Sequence, residues 1–251
     1  MRKPETIDDA LSAMDRLLDR AIEENDPVGY FTSVYRAVTA RIRDGVRAGE
    51  FDDDERMERF DVLFASAFLD AAEHHGAGRP TSRSWRVALT APSRSTLVLQ
   101  HVLVGMNAHI NLDLGVAAAR TQQGAAVADL RDDFERLNDV LAKMVDRMQE
   151  ALARVSPWTD LMDRVCGGLD EELAGWSIGR ARHHAWELAE ELSRPGADHD
   201  RIVADRDRLV ALLGGRVVHP ILLSTRIAVA AASRLERPSV RRVAEALLEP
   251  A

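Results

Sequence analysis

The sequence is poor in cysteine and in aromatic residues. Cys166 is the single cysteine of the 251 residues, so no internal disulfide can form. Low cysteine usage of this kind is typical of a reducing compartment. Aromatic residues make up only 5% of the chain, which leaves a β-sheet short of the residues it favours. We therefore expect a helical protein located in the cytoplasm.

Several common signals are also missing. Residues 1–5 lead into an amphipathic helix, so no secretory signal is visible. The apolar segment 217–235 is interrupted by His219, Pro220 and Arg226, and it predicts a buried helix rather than a membrane span. The chain has neither a glycine-rich phosphate loop nor a G-x-S-x-G nucleophile turn. These absences argue against membrane insertion, nucleotide binding and serine-dependent hydrolysis.

The charge of the chain is moderately acidic. It carries 33 Lys and Arg against 41 Asp and Glu, a formal net charge of −8 at pH 7. The basic residues alternate with acidic ones instead of forming a patch, and phosphate backbones are bound by clustered positive charge. Nucleic acid is therefore not an expected partner.

Apolar residues recur at helical spacing along most of the chain. This pattern predicts an all-α fold, a single-domain multi-helix bundle over residues 1–251. The bundle is expected to surround a buried central helix at about 97–119, which is apolar on nearly all sides. We expect Gly214 and Gly215 to end a later helix that begins near residue 200.

The predicted central helix contains six polar residues. An unpaired buried amide or imidazole costs about 1–3 kcal/mol, so each needs a partner. At about 100° per residue they fall on two sides of the helix. One side carries amides and the other carries histidines and a carboxylate: Gln100, Asn107 and Asn111 on the first, His101, His109 and Asp113 on the second.

The His109–Asp113 spacing suggests a metal site. A histidine and a carboxylate four residues apart on a helix can reach one point, and His183–Glu187 repeats that spacing on a later helix. With Asp61, these side chains could converge on Zn, Fe or Mn. A metal-bound water would then be the nucleophile in the hydrolysis of a small substrate, which makes a metal-dependent hydrolase the favoured hypothesis.

Other interpretations of the same residues stay open. Without a cofactor, His109 could act as a general base whose tautomer is fixed by Asp113, while Asn107, Asp61 and Arg182 bind a small polar molecule. The same residues could bind a ligand without chemistry, or they could form a hydrogen-bonded network inside a helical scaffold. The sequence gives no indication of the oligomeric state.

Five segments together resemble an uncharacterised family of helical proteins common in high-GC bacteria. They read Y-F-x-x-V-Y-x-x-V-T-x-x-I at 30–42, A-G-E-F-D-D at 48–53, M-E-R-F-D-V-L-F-A at 57–65, G-M-N-A-H-I-N-L-D-L at 105–114 and S-I-G-R-A-R-H-H-A-W-E-L-A at 177–189. N-A-H-I-x-x-D-L is the most specific element. The resemblance implies an all-α fold and points to Asn107, His109 and Asp113, and it marks Arg182 and Trp186 as typical positions. It implies no reaction.

A looser likeness is to zinc-dependent phospholipase C and related helical nucleases. In those enzymes H-x-x-x-D and H-x-x-x-E elements on neighbouring helices hold metal ions, so the likeness assigns such parts to His109–Asp113 and His183–Glu187. The chain lacks the additional histidines and the N-terminal tryptophan ligand of that family.

Overall fold

The computed structural model describes residues 3–122, 126–137, 150–151, 154, 178–221, 223–236 and 239–248. They are overwhelmingly helical, and no strand occurs within these ranges, which confirms the predicted all-α bundle. The helices are α1 Ile7–Glu24, α2 Val28–Ala48, α3 Asp54–Gly76, α4 Arg83–Leu89, α5 Val98–Ala108, α6 Leu114–Thr121, α7 Ile178–Leu192, α8 His199–Val218, α9 Leu223–Leu235 and α10 Val240–Leu248. A 3₁₀ turn, Val127–Leu130, leads into helical residues 131–137. Cys166 lies outside the described residues.

Local side-chain chemistry determines where the first helices begin and end. Thr6 caps α1 by accepting a hydrogen bond from the Asp9 amide, and the Asp9 carboxylate accepts one from the Thr6 amide in return. Asn25 ends α1 with φ 52°, and Gly49 ends α2 with φ 69°, both in the left-handed region. The chain can therefore turn tightly between α1, α2 and α3.

A large apolar core connects α1, α2, α3, the central helix and α7. Its largest members come from the inward faces predicted by the helical period, including Met14, Phe60, Phe64, Phe68 and Leu114. Burial of each such side chain contributes about 1.5–3 kcal/mol, so this core supplies most of the stability of the fold.

The central helix differs from the continuous element that the sequence predicts. It consists of α5, a π-helical turn at His109–Asp113, and α6. The predicted uninterrupted α-helix over 97–119 is therefore wrong in detail, because one wider turn is inserted in its middle. Single π turns of this kind are frequent at functional sites. By length and composition, Val98–Thr121 could cross a membrane, but 72% of its apolar window is buried inside the bundle.

Helix α8 lies along the amide side of α5 and continues through both of its glycines. The predicted end at Gly214 and Gly215 is wrong, since α8 runs on to Val218. A Cβ atom on Gly214 would lie 3.1 Å from Nδ2 of Asn107 and 3.2 Å from a methyl group of Val104. Gly214 thus allows α8 to approach α5 closely. The helix tolerates this glycine because the packing offsets its low helix propensity.

Candidate functional site

The amide side of the central helix is bound to neighbouring main chain. Gln100 accepts a hydrogen bond from the Leu97 amide and donates one to the Val217 carbonyl at 2.7 Å. The Asn107 side chain donates a hydrogen bond to the Val210 carbonyl at 2.9 Å and accepts one from the side-chain amide of Asn111. These amides join the central helix to α8, so the predicted candidate Asn107 is occupied in a structural contact.

The histidine side contains a three-residue hydrogen-bonded unit in the π turn. Nδ1 of His109 lies 3.1 Å from Oδ2 of Asp113, and Nε1 of Trp85 donates to the same oxygen at 2.8 Å. Because a carboxylate accepts hydrogen bonds, Nδ1 carries the imidazole proton and Nε2 is left as an acceptor. The predicted His109–Asp113 pair is therefore present, and Trp85 is a partner that the sequence did not indicate.

His109 is enclosed by aromatic rings. Its imidazole stacks on Phe64 with ring centroids 3.6 Å apart, and Tyr35 meets it edge-on at 4.3 Å. Only 2% of His109 is exposed, and Nε2 is buried without a hydrogen-bond partner among the described residues. Burial lowers the pKa of His109, against the opposing effect of Asp113, so the ring is neutral at physiological pH.

Asp61 is a second buried polar group near this unit. It lies on α3 one turn before Phe64, is 1% exposed, and neither carboxyl oxygen has a partner within the described part of the chain. Burial, with a smaller contribution from Glu58, raises the pKa of Asp61 to about 8. Asp61 and Asp113 both raise the pKa of Tyr35, so the Tyr35 side chain lies close enough to feel both carboxyl groups.

The structure does not bring His183 and Glu187 to this place. Both lie on the exposed side of α7, with side chains 67% and 50% exposed, and His184 also contacts Glu187 at 2.9 Å. Arg182 lies on the buried side of the same helix, which packs against the π turn and α6. In the ranges that the structure describes, no three His, Cys, Asp or Glu residues are placed to hold a metal. Metal binding stays a prediction.

A cavity of about 140 Å³ lies beside the central helix. Its wall combines α2, α3, α4, α5 and the connections before α2 and after α4. The lining residues are mostly apolar: Pro27, Val28, Phe31, Phe68, Trp85, Ala88, Leu89, Ala91, Ser93, His101 and Gly105. Sequence analysis missed this site because its wall is assembled from separate helices, although His101 belonged to the polar set already noted.

His101 is the imidazole in the cavity wall. It is buried, its ring lies 5.8 Å from that of Tyr30, and its Nε2 lacks a hydrogen-bond partner in the described structure. Burial lowers the pKa of His101 to about 4, so the imidazole is uncharged at neutral pH. A buried polar atom without a partner is uncommon in folded proteins. His101, which carries this atom, is one of the residues that line the cavity.

One layer of aromatic side chains separates the cavity from His109. Phe31, Phe68 and Trp85 line the cavity, and their rings lie 5.8, 6.3 and 5.9 Å from the His109 ring. Phe31 packs directly over Gly105, where a Cβ atom would come within 2.6 Å of its ring. His101, in the cavity wall, and His109 are therefore separated by packed aromatic rings.

Helix α4, which supplies Trp85 to the wall, is held from α8. The Asp207 carboxylate accepts hydrogen bonds from the Arg83 amide at 2.8 Å, the Ser84 amide at 2.9 Å and the Ser84 hydroxyl at 2.7 Å. Together with the hydrogen bond from Trp85 to Asp113, these bonds fix the first three residues of α4.

Comparison with known proteins identifies a family and no individual relative. Neither a curated protein nor a solved structure matches the chain. The model of one family of unknown function matches residues 7–220, a range that includes the π turn and all of the cavity wall. The chain therefore belongs to DUF5995, a family of unknown function.

Proposed function

We propose that this protein binds a small organic molecule in the cavity beside His101, without a metal or cofactor. The observation that carries the proposal is a buried imidazole in the wall of a cavity whose lining residues are mostly apolar, with no hydrogen-bond partner for its Nε2 among the described residues. Ligand sites in proteins commonly combine an apolar lining with a few polar groups that orient the ligand. An apolar cavity of about 150 Å³ is known to take benzene, so 140 Å³ is room for one small ring.

The geometry favours binding over catalysis by His109. Nε2 of His109 is buried, and the imidazole face is covered by Phe64. A general base must come within hydrogen-bond reach of the proton that it removes. The aromatic layer around His109 prevents this in the present conformation. The unit of His109, Asp113 and Trp85 instead supports the cavity wall.

The experiment is a titration of the purified protein with benzene, phenol and indole, followed by ligand-observed NMR. We expect saturable binding of at least one probe at a single site. Ala88→Leu adds bulk at the cavity wall and should weaken that binding at least tenfold, whereas Ala231→Leu, on the exposed side of α9, should leave it unchanged. Absence of saturable binding, or equal binding by a folded Ala88→Leu protein, would overturn the proposal.

Metal-assisted hydrolysis is the second candidate, and one observation favours it. A metal-binding histidine usually donates a hydrogen bond from its other ring nitrogen to a carboxylate. His109 is held by Asp113 in this way, and its Nε2 has no partner in the part of the chain that the structure describes. Nε2 and the Asp61 carboxylate would then be the ligands for Zn, Fe or Mn, and the metal would supply a nucleophilic hydroxide. The looser likeness to phospholipase C agrees with this candidate.

Metal analysis separates the two candidates. The protein is incubated with Zn²⁺, Fe²⁺ or Mn²⁺, dialysed, and assayed for bound metal. One equivalent per chain, lost in His109→Gln and retained in His183→Gln, would support the metal candidate. No retained metal in folded wild-type protein would remove the metal candidate.

A cytoplasmic location is part of the main proposal and is supported by the low cysteine content.

A further inference from the structure

We infer that the ligand is a neutral, planar aromatic molecule with one hydroxyl or N–H group, which donates a hydrogen bond to His101. Phenols and indoles belong to this class. The inference rests on the proposed function, because it concerns the chemistry of the molecule in the same cavity. Three features of the wall carry it: the aromatic rings, the absence of charge and the position of the polar groups.

The aromatic part of the wall favours an aromatic ligand. Phe31, Phe68 and Trp85 come from three helices and contact one another, with ring centroids 5.0, 5.2 and 5.6 Å apart. Aromatic rings attract further rings in edge-to-face or offset arrangements, beyond the gain from burial alone. The other wall residues include Ala88 and Gly105, which project little into the space. Such a wall suits a flat ring.

The size of the cavity limits the ligand. By comparison with the benzene-binding cavity of about 150 Å³, a volume of 140 Å³ admits about six to nine non-hydrogen atoms. A single ring with a small substituent, or a compact fused pair such as indole, meets this limit. Nucleotides, sugars longer than one unit and acyl chains exceed it.

The lining excludes charged ligands. No Asp, Glu, Lys or Arg occurs among the described residues of the wall, and the burial of an unpaired charge is far more costly than the burial of an uncharged group. A benzoate or a benzylamine that placed its charged group inside the cavity would lose hydration without gaining a countercharge. The ligand is therefore expected to be neutral.

The polar groups of the wall specify a hydrogen-bond donor. Nε1 of Trp85 is already bound to Asp113, so the indole contributes only its carbon surface. Ser93 lies in the exposed connection after α4, at the rim, and water can satisfy its hydroxyl. The neutral imidazole of His101, a residue of the wall, has one acceptor nitrogen, which can accept a hydrogen bond from an O–H or N–H group of the ligand.

Isothermal titration of the whole protein with phenol, toluene and benzoate at pH 7 tests this class. Phenol and toluene have nearly the same shape and differ in the donor. We expect phenol to bind about tenfold more tightly than toluene, since one neutral hydrogen bond contributes about that factor. Benzoate should show no saturable binding. In His101→Leu the preference for phenol should disappear while toluene still binds, and in His75→Leu, on an exposed helix end, it should persist.

The outcomes separate this inference from the proposed function. Equal binding of phenol and toluene by the wild-type protein, or tighter binding of benzoate, would overturn the ligand class and leave the cavity as a binding site. Absence of binding by all three would overturn both. The comparison of phenol with toluene uses wild-type protein alone, so it is decisive even if His101→Leu does not fold.

Discussion

Trp85 and Asp113 are joined by a hydrogen bond of 2.8 Å that connects the wall of the cavity to the π turn of the central helix. The oxygen that accepts this bond also faces His109 at 3.1 Å. The carboxylate therefore binds both His109 and Trp85, and Trp85 belongs to the aromatic layer that separates His109 from the cavity. Ligand binding and the buried polar unit are related through this oxygen, because a displaced Trp85 would change the shape of the cavity.

Replacement of Trp85 by phenylalanine should test the value of that bond. Trp85→Phe removes one of the two donors to Oδ2 of Asp113 and leaves His109 as the other. Loss of a hydrogen bond to a charged group should lower the free energy of unfolding by about 1–3 kcal/mol in urea titrations. Trp186→Phe is the matched control, because Nε1 of Trp186 donates to the half-exposed Glu190, which water can satisfy. Its loss should be clearly smaller. Equal losses in the two variants would contradict a special role for the Asp113 contact.

Two helical glycines should respond to replacement by alanine in opposite directions. A Cβ atom at Gly115 would lie 2.5 Å from the Ala185 carbonyl oxygen of α7, so Gly115→Ala forces the backbones apart and should cost about 1–3 kcal/mol. Nothing lies within 4 Å of a Cβ atom at Gly215, inside α8. Gly215→Ala should therefore stabilise the protein by about 0.5–1 kcal/mol. Thermal denaturation of both variants measures this, and a stabilising Gly115→Ala would show that α6 and α7 are not in contact.

His101 should make the stability of the protein depend on pH. Its pKa is about 4 in the folded chain and near 6.5 when exposed, so the unfolded chain binds the proton first as the pH falls. Above pH 6.5 the imidazole of His101 is neutral in both states and does not affect the pH dependence. As the pH falls from 6.5 toward 4, the free energy of unfolding should decrease by about 3 kcal/mol. Urea titrations between pH 4 and 7 should show a smaller loss in His101→Gln than in wild type. Parallel pH profiles would argue that His101 is not buried.

Asp61 should have the opposite dependence. Its folded pKa is about 8, above the ordinary 3.8, so its protonated form favours folding and this advantage is lost as the pH rises through that interval. Asp61→Asn does not titrate. Relative to wild type, the free energy of unfolding of the variant should rise by up to about 5 kcal/mol from pH 4 to pH 8. A variant that is less stable than wild type at pH 8 would contradict this account of Asp61.

Helical periodicity was sufficient to predict the all-α fold and the buried central helix, because apolar spacing depends only on the local period of the chain. The pairing of His109 with Asp113 followed from their spacing of four residues. The membership of an uncharacterised family, inferred from motifs such as N-A-H-I-x-x-D-L, was also confirmed. The single-domain organisation over residues 1–251 stays a prediction.

The remaining features depend on contacts between distant parts of the chain. The bonds of Trp85 to Asp113 and of Ser84 to Asp207 join residues 28 and 123 positions apart, and no local pattern indicates them. Helix α8 continues through Gly214 and Gly215 because the close packing of Gly214 against Asn107 outweighs the low helix propensity of the two glycines. The exposure of His183 follows from the rotation of α7 about its axis, which is set by packing. Spacing along one helix could not predict which of its sides would face the site.

A crystal structure of the protein soaked with 4-bromophenol tests the central claim most directly, because the anomalous signal of bromine locates the ligand. The account predicts a bromine peak inside the cavity, among Phe31, Phe68 and Trp85, with the phenol oxygen within hydrogen-bond distance of His101. A bromine peak found only on the surface, for example on the exposed Leu209 and Leu212 of α8, would contradict it. So would a well-diffracting crystal in which the cavity holds no ligand.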